Sequence, residues 1–546
     1  MRHLRRLGHC LAAAALFGAA VAPLQLLLWP EISLPPGKVL LALLAWAGWG
    51  ALWFGLVAFI VVEASSLGVR TLAVRRGLAA GLWRWLVFSF TLAAALSAWF
   101  NHRLTRETLL PGRRDALAVA AIVLGLTAIA FLAMGMADWP RRFAAPLIVG
   151  LPVAAVAAVW LVWGTAPVTT QVAAAGELPR YSAGRRVLLV SWEGADLPWI
   201  LPAIDRGDMP FLKERRDAGA WGQLRTLRPH TRQSALATLA TGCSPAIHGV
   251  VGRRAYRLRW LSDTPVSLLL RGPWPLPHHL PWRARERAAV PPPRRAELWE
   301  ILEHSGLTTG LVGWPGVVGA RWQVPAPLAS DAIPFSALDS ELRDLLQSAF
   351  IRRPELAART RSAFSVAAET VAAAAIRHAN EPVDAMVIDS DLPARLRPLW
   401  TTGSGETSEE EVLRQAMRLL DEQLRTLWSV MGREETLLVV VSPYGMAAPS
   451  AARRLQSMIG GRRLYPVSAV DSPDGFILLS GPGIKPGTRL RGGKLADVLP
   501  TILYLLDLPV GSDMAGRVLL EAVTDERAAS TPLRVVPSYP AEALRP

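Results

Sequence analysis

Histidine is scarce in this 546-residue chain, and it stops early. Nine are present, at positions 3, 9, 102, 230, 248, 278, 279, 304 and 378, and none follows His378. The last third of the chain therefore has no imidazole to offer a zinc ion or to use as a general base. Lysine is scarcer still, with Lys38, Lys213, Lys485 and Lys494 only, so arginine carries almost all of the net charge of +15. Together with abundant alanine and proline, that pattern points to a coding bias. No arginine run is interleaved with aromatic residues, as a groove for single-stranded nucleic acid requires, so nucleic acid is set aside as a partner. There are two cysteines. Cys10 lies in an apolar segment and Cys243 in the polar part, so no disulfide forms within the globular part and the redox compartment is not legible.

Hydrophobic residues make up 51% of the chain, concentrated in its first third. Five apolar stretches have about the length needed to span a bilayer: Cys10–Trp29, Val39–Val62, Leu82–Phe100, Ala116–Met136 and Ala144–Trp163. Arg84 lies near the start of the third, where it can snorkel, and Trp29, Trp83, Trp139 and Trp163 fall near ends, as interfacial aromatics do. No small-x-small cleavage site stands out after the first stretch, which reads as a retained helix. Arg2, Arg5, Arg6, Arg70, Arg75, Arg76, Arg141 and Arg142 favour a cytoplasmic N-terminus, against the opposing Arg103, Arg106, Arg113 and Arg114. Five spans then place the remainder outside the cytoplasm, at the plasma (inner) membrane. No span carries a buried acid pair or a broken helix, so a transport path is poorly supported.

The texture changes at Arg186. "RRVLLVSWEGAD", "VDAMVIDSD", "TLLVVVSPYG" and "DGFILLSGPG" read as buried strands. "MPFLKERRDAGAWGQLRT" and "AELWEILEHSGLTTGLVGWP" read as helix, glycine stop, strand. "SEEEVLRQAMRLLDEQLRTLWSVM" is an amphipathic helix with a serine cap and an acidic first turn. This alternation predicts an α/β domain with a mostly parallel sheet and helices on both faces, preceded by an α-helical membrane domain of about five spans. The expected divisions are residues 1–164 for the membrane helices, 165–185 for a linker and 186–524 for the α/β domain, with 253–295 as an insertion or cap and 525–546 as a flexible tail.

One strand raises a chemical question. "LLVVVSPYGM" is apolar without alternation, as a strand covered on both faces should be, and it stops at Ser442 and Pro443. Chemistry in open α/β sheets sits just past such strand ends. Here the sequence offers proline, tyrosine and glycine.

The stretches "VLLVSWEGAD", "TLATGCSPAIHG", "LWEILEHSGLTTGLVGWP", "VVVSPYGM" and "ADVLPTILYLLDLPVGSDMAGRVL", in this order, resemble the type I phosphodiesterase/nucleotide pyrophosphatase branch of the alkaline phosphatase superfamily. The resemblance covers most of residues 186–520. It implies an alkaline-phosphatase-like fold and two divalent metals, usually zinc, held by Asp and His beside a Thr or Ser nucleophile, where the cations activate the hydroxyl and clamp phosphoryl oxygens. Laid onto this sequence, each position departs. The first Asp is Glu193. The nucleophile, counted back from Thr241-Gly242, falls on Arg232, with Thr231 beside it. The Asp-x-x-x-His ligands become Pro393 and Arg397, and Asp391 substitutes only in a shifted register. The Asp-His pair is Pro443 and Tyr444, and the last His falls near Asp471. The resemblance draws its three ligand histidines from beyond His378, where there are none, so the two zinc ions are doubtful and no cofactor is expected.

Each candidate has a plainer reading. Glu193 is a surviving ligand or a hydrogen-bonded turn acid. Thr231 is a displaced nucleophile or a turn hydroxyl. His230 is a base or an exposed loop residue. Arg232 is a grip for an anion, which its guanidinium suits. His248 is structural, and His278-His279 is a solvated loop pair. Asp391, Asp471 and Asp474 together make an oxygen-only site better suited to Ca²⁺ or Mg²⁺ than to zinc. Three functions compete on this reading. The first is a membrane-anchored, catalytically inactive member that binds an envelope protein or an anionic ligand. The second is an active phosphodiesterase or phosphoryl-group transferase on envelope or lipid-linked substrates, rebuilt from Glu193, Thr231, Arg232, Asp391 and Asp471. The third is a membrane protein whose helices do the work.

Overall fold

The computed structural model describes residues 2–27, 36–68, 72–105, 107, 109, 111–136, 184–228, 230–252, 255–258, 262–267, 286–288, 292–315, 320–325, 354–400, 407–432, 435–451, 454 and 472–544. The expected fifth span, most of the linker, most of the 253–295 insertion, His278, His279 and Asp471 lie outside the described residues. Two compact units are present: residues 1–171 with 249–291, and residues 172–248 with 292–546.

The first unit holds α1 (Arg2–Leu27), α2 (Pro36–Gly50), a π-turn at Ala51–Gly55, α3 (Leu56–Gly68), α4 (Leu72–Leu104) and α5 (Pro111–Met136). It also holds an antiparallel sheet of Ala255–Leu258, Ser262–Ser267 and Glu286–Ala288. Among the described residues one helical stretch, Gly37–Ala64, is long and apolar enough to cross a membrane. The expectation of five spans is not supported. The other helices run from their apolar stretches into charge: α1 begins at Arg2, α4 takes in Arg75, Arg76 and Arg84, and α5 takes in Arg113, Arg114 and Asp115. Helix α1 lies against α2 backbone to backbone. A Cβ on Gly18 would sit 2.1 Å from the Trp46 carbonyl oxygen, and one on Gly50 2.5 Å from that of Ala14. Small residues permit this close approach of the two backbones. At one end His3 and Arg6 of α1 pair with Glu63 of α3, at 3.0 and 3.2 Å. Gly18→Leu is expected to force α1 off α2 and lower the melting temperature of the detergent-solubilised chain by several degrees, read by intrinsic tryptophan fluorescence. Gly18→Ala should cost less.

The second unit is built on eight strands: β1 (Arg186–Trp192), β2 (Ala220–Arg225), β3 (Thr309–Val312), β4 (Trp322–Val324), β5 (Ala385–Ser390), β6 (Thr436–Ser442), β7 (Gly475–Ser480) and β8 (Thr488–Lys494). Their order across the sheet is β8-β2-β7-β6-β1-β5-β3-β4. All neighbours run parallel except β7, which is antiparallel to both β2 and β6. This is the mostly parallel sheet that the alternation of elements predicts.

Alternate residues of one strand feed two cores, as a period of two requires. Val187 and Leu189 of β1 face one cluster. It includes Leu236 and Leu239 of α8 (Arg232–Thr241), Trp299 and Ile301 of α9 (Leu298–His304), and Leu499 and Ile502 of α13 (Val498–Leu505). Leu188 and Val190 face the other. Ile200 of α6 (Leu197–Arg206), Phe211 of α7 (Pro210–Asp217), Phe364 of α10 (Pro354–Asn380), Leu396 of α11 (Leu392–Trp400) and Leu420 and Leu424 of α12 (Thr407–Met431) belong there. Each such side chain, fully buried, contributes about 1.5–3 kcal/mol. Helices therefore cover both faces, and unbroken apolar strands are the sequence signature of that arrangement.

The stretch from Asp525 is structured, against the expectation of a flexible tail. Val535–Val536 pairs with Val510–Gly511, and the Tyr539 hydroxyl donates to the Pro509 carbonyl oxygen at 2.7 Å from a fully buried position. Its prolines suggest fraying, but the buried Tyr539, the strand pair and the Ser538 hydroxyl donating to Asp513 at 2.5 Å tie it to the unit.

Candidate functional site at the carboxyl ends of the central strands

Parallel pairing brings the ends of β1, β5 and β6 together. Ser191 is in register with Asp389 on one side and with Val441 on the other. The loops that follow are tied by backbone bonds: the Glu193 amide donates to the Ser390 oxygen at 3.0 Å, and the Gly194 amide to the Tyr444 oxygen at 3.1 Å. Helix α8 enters the same place by its N-terminus. Thr231 caps it, its Oγ1 accepting from the Ser234 amide at 3.2 Å while Ser234 Oγ accepts from the Thr231 amide at 2.8 Å. That reciprocal cap fixes the first helical residue, Arg232.

The Arg232 guanidinium points between two carboxylates. Its Nε donates to Glu193 Oε1 at 2.5 Å and its Nη2 to Asp389 Oδ2 at 2.6 Å. The Tyr444 hydroxyl donates to the other Glu193 oxygen, also at 2.5 Å. Arg232 is one-third exposed, whereas the Glu193 and Asp389 side chains are buried. Burial, and then the neighbouring Glu193, pushes the Asp389 carboxyl well above the usual carboxylate range. Burial and Glu193 likewise push the Tyr444 hydroxyl well up, so it stays a neutral donor. Burial opposes the charge on Arg232, but Glu193 and Asp389 outweigh it and hold the guanidinium more firmly protonated.

Behind Tyr444 lies His230, ring centroids 4.8 Å apart at 31°. His230 is buried, not exposed as expected, and its Nε2 is 3.3 Å from Ser472 Oγ. His248, expected to be structural, is fully buried with Nε2 3.0 Å from Thr238 Oγ1, and burial drives its pKa down to about 3.

A second arginine ties the same loops. Arg397 Nη1 donates to Asp196 Oδ2 at 2.8 Å and to the Gly194 oxygen at 2.6 Å, and Nη2 to the Met446 oxygen at 3.3 Å. Asp196 also accepts from the Trp199 and Met446 amides, both at 3.1 Å. Two positions that the resemblance assigns to the nucleophile and to a ligand histidine thus carry guanidinium groups with carboxylate partners.

Of the sequence candidates, Glu193, Arg232 and Tyr444 converge. Thr231 adjoins them, but its hydroxyl is engaged in the helix cap. Pro443 contributes no polar side-chain atom. Asp391 pairs with Arg395 at 2.7 Å, one turn along α11, and Asp474 pairs with Arg228 at 3.0 Å while accepting from the Thr226 amide at 3.2 Å. The oxygen-only trio of Asp391, Asp471 and Asp474 is therefore not assembled from Asp391 and Asp474, each of which serves its own partner. Asp389 and Asp196 escaped the sequence reading. The signal for Asp389 was an acid inside the strand "AMVIDS", where both faces are covered and an unpaired carboxylate cannot stay.

A zinc pair needs imidazole and carboxylate donors with free lone pairs. Here the two innermost carboxylates are held by one guanidinium and the nearest phenol stays protonated. Among the described residues no group of three or more His, Cys, Asp or Glu side chains could hold a metal. This donor set does not fit two zinc ions.

The model of the type I phosphodiesterase / nucleotide pyrophosphatase family matches residues 187–499. Short segments are similar to 2,3-bisphosphoglycerate-independent phosphoglycerate mutases. The one from Cereibacter sphaeroides is 49% identical over 51 residues, 9% of this chain and 10% of that protein. The one from Synechocystis is 44% identical over 71 residues, 12% and 13%. The chain thus spans about a tenth of the length of these curated relatives. Among solved structures, murine ectonucleotide pyrophosphatase / phosphodiesterase 5 in complex with AMP is 13% identical, with 59% of this chain and 95% of that one covered and a TM-score of 0.37. For the human protein of the same name the values are 12%, 61%, 97% and 0.36.

Proposed function

We propose, for a chain that belongs to the type I phosphodiesterase / nucleotide pyrophosphatase family, that it is a membrane-anchored member that does not hydrolyse phosphodiesters and serves as a binding or scaffold module at the cell envelope. One observation carries this reading. The residue in the nucleophile's place, Arg232, is a cation locked by Glu193 and Asp389. A guanidinium cannot attack phosphorus at neutral pH, and while it stands there it repels the metal ions that would activate another nucleophile. Thr231 cannot easily replace it, because its hydroxyl caps α8. The site works without a metal cofactor on this reading. The exposed third of Arg232 offers a grip for an anionic group, and an envelope protein is the other class of partner.

The membrane placement rests on the Gly37–Ala64 stretch and on apolar side chains left exposed along the helices. Leu40, Leu44, Trp53 and Ile60 are exposed along α2 to α3, and Val119, Ile122, Leu126 and Ile129 form a stripe on α5. An inner-membrane location with the α/β domain outside the cytoplasm follows from the arginine asymmetry of the loops.

The test is hydrolysis of bis-p-nitrophenyl phosphate and p-nitrophenyl phosphate by the full chain in detergent, with Zn²⁺, Mn²⁺, Mg²⁺ or Ca²⁺, alongside elemental analysis. The expected result is no turnover and less than one tightly bound metal per chain. Turnover that disappears in Glu193→Ala sinks the reading and puts the rebuilt hydrolase first.

A further inference from the structure

Two buried carboxylates share one cation at the end of the sheet. The Glu193 side chain is 1% exposed and that of Asp389 is fully enclosed. Among the described residues, the ion pairs of both are with Arg232. Two buried acids cannot both stay ionised without a counter-charge, because each loses its hydration on burial. With Arg232 in place, one side chain answers both. Without it, the acids must take up protons or an external cation.

The atoms around the guanidinium favour the cation. Both carboxylates already point at one place, and the Tyr444 hydroxyl stands on Glu193 as a third oxygen. Ser191, in register with Asp389 across β1 and β5, bonds to the Asp389 carboxylate and brings a further oxygen to the same place. Every one of these donors is oxygen. Such a set suits hard divalent ions such as Mg²⁺, Mn²⁺ and Ca²⁺ and disfavours zinc, which prefers nitrogen and sulfur.

We infer that the Arg232 guanidinium is a built-in substitute for a bound divalent cation, and that Glu193, Asp389 and Tyr444 form a latent site for a hard divalent ion that opens when the guanidinium is removed. This rests on the metal-free reading of the native site. The native chain carries its counter-ion covalently and is indifferent to chelators, while a single side-chain deletion makes it ion-dependent.

The experiment compares the full chain in detergent with Arg232→Ala, Arg232→Lys and Arg232→Ala/Asp389→Asn. Free Mn²⁺ is followed by electron paramagnetic resonance during titration with MnCl2, and melting is followed with EDTA or with excess MnCl2. The native chain and Arg232→Lys should bind no Mn²⁺ saturably and melt alike in both conditions. Arg232→Ala should melt about 4 °C lower in EDTA, recover most of that in MnCl2, and bind one ion per chain. The double variant should lose that binding. The inference is overturned if Arg232→Ala binds no more Mn²⁺ than the native chain, if it stays unfolded with Mn²⁺ present, or if binding survives Asp389→Asn. Stoichiometric metal in the native chain, or turnover by it, sinks the proposed function instead. A silent Arg232→Ala beside a metal-free native chain sinks this inference alone.

Discussion

Arg232→Met, assayed in EDTA, will lose about 3 kcal/mol of stability, and adding Glu193→Gln and Asp389→Asn to it will restore most of that loss. The asymmetry follows from what each change leaves behind. Methionine alone leaves two enclosed carboxylates facing each other with no cation, and the cost of breaking such a group is about 3–5 kcal/mol. Arg232 is one-third exposed, so solvent relieves part of it and the lower end applies. The triple change removes all three charges together and leaves amides that the Tyr444 hydroxyl can still bond. Chemical denaturation with tryptophan fluorescence reads both outcomes. A triple variant no more stable than Arg232→Met shows that packing of the arginine stem, not charge, is what matters.

The same cluster sets a sign for pH. The folded state holds the Asp389 proton to higher pH than the unfolded chain does. Its contribution to stability is complete below the unfolded carboxylate value of about 3.9 and is lost as pH rises through the raised folded value. Asp389→Asn should flatten that decline.

Acid acts on the domain through a different residue and in the opposite sense. His248 is fully buried, and its pKa falls from 6.5 to about 3 on folding. The unfolded chain therefore binds a proton that the folded one refuses. Stability from this group is whole above about pH 6.5 and is lost as pH falls toward 3, at about 1.4 kcal/mol for each pH unit. His248→Gln keeps a polar atom for Thr238 but cannot charge. It is expected to melt somewhat below the native chain at neutral pH and to lose much less on acidification. Melting temperatures across pH 7 to 4 decide the point. If both chains fall in parallel, the acid sensitivity resides elsewhere.

Much of the α/β unit was legible because its physics is local. Runs such as Val187–Val190 and Leu437–Val441 are apolar on both faces, and a glycine stop between helix and strand marks the turns. Arg232 could be placed by counting from Thr241-Gly242, because helix length fixes the spacing. Its partners could not. Asp389 does not stand out from Asp391, two residues on, because alternation in a strand is invisible where nearly every neighbour is buried. The choice was decided by Arg395, which takes Asp391 one helical turn away. His230 looks like a loop residue in sequence, and only the ring of Tyr444, brought from a distant strand end, encloses it. The helical first third was legible as apolar, but composition did not say how many of its helices meet the demands of a bilayer: the arginines that α4 and α5 draw in are a matter of where each helix begins.

The place of β1 in the sheet has a consequence in time. Among the described residues it is the first strand of its unit to be made, yet its two neighbours, β5 and β6, begin at Ala385 and Thr436, roughly 190 and 240 residues later. At about 5–20 residues per second, the ribosome takes roughly 10–40 s to supply the nearer one. For that interval a seven-residue apolar strand waits with both edges open, and α6, α7, β2 and α8 emerge without the surface they will cover. Slowing translation between residues 193 and 385 should therefore lower the yield of folded chain more than slowing it after Ser442.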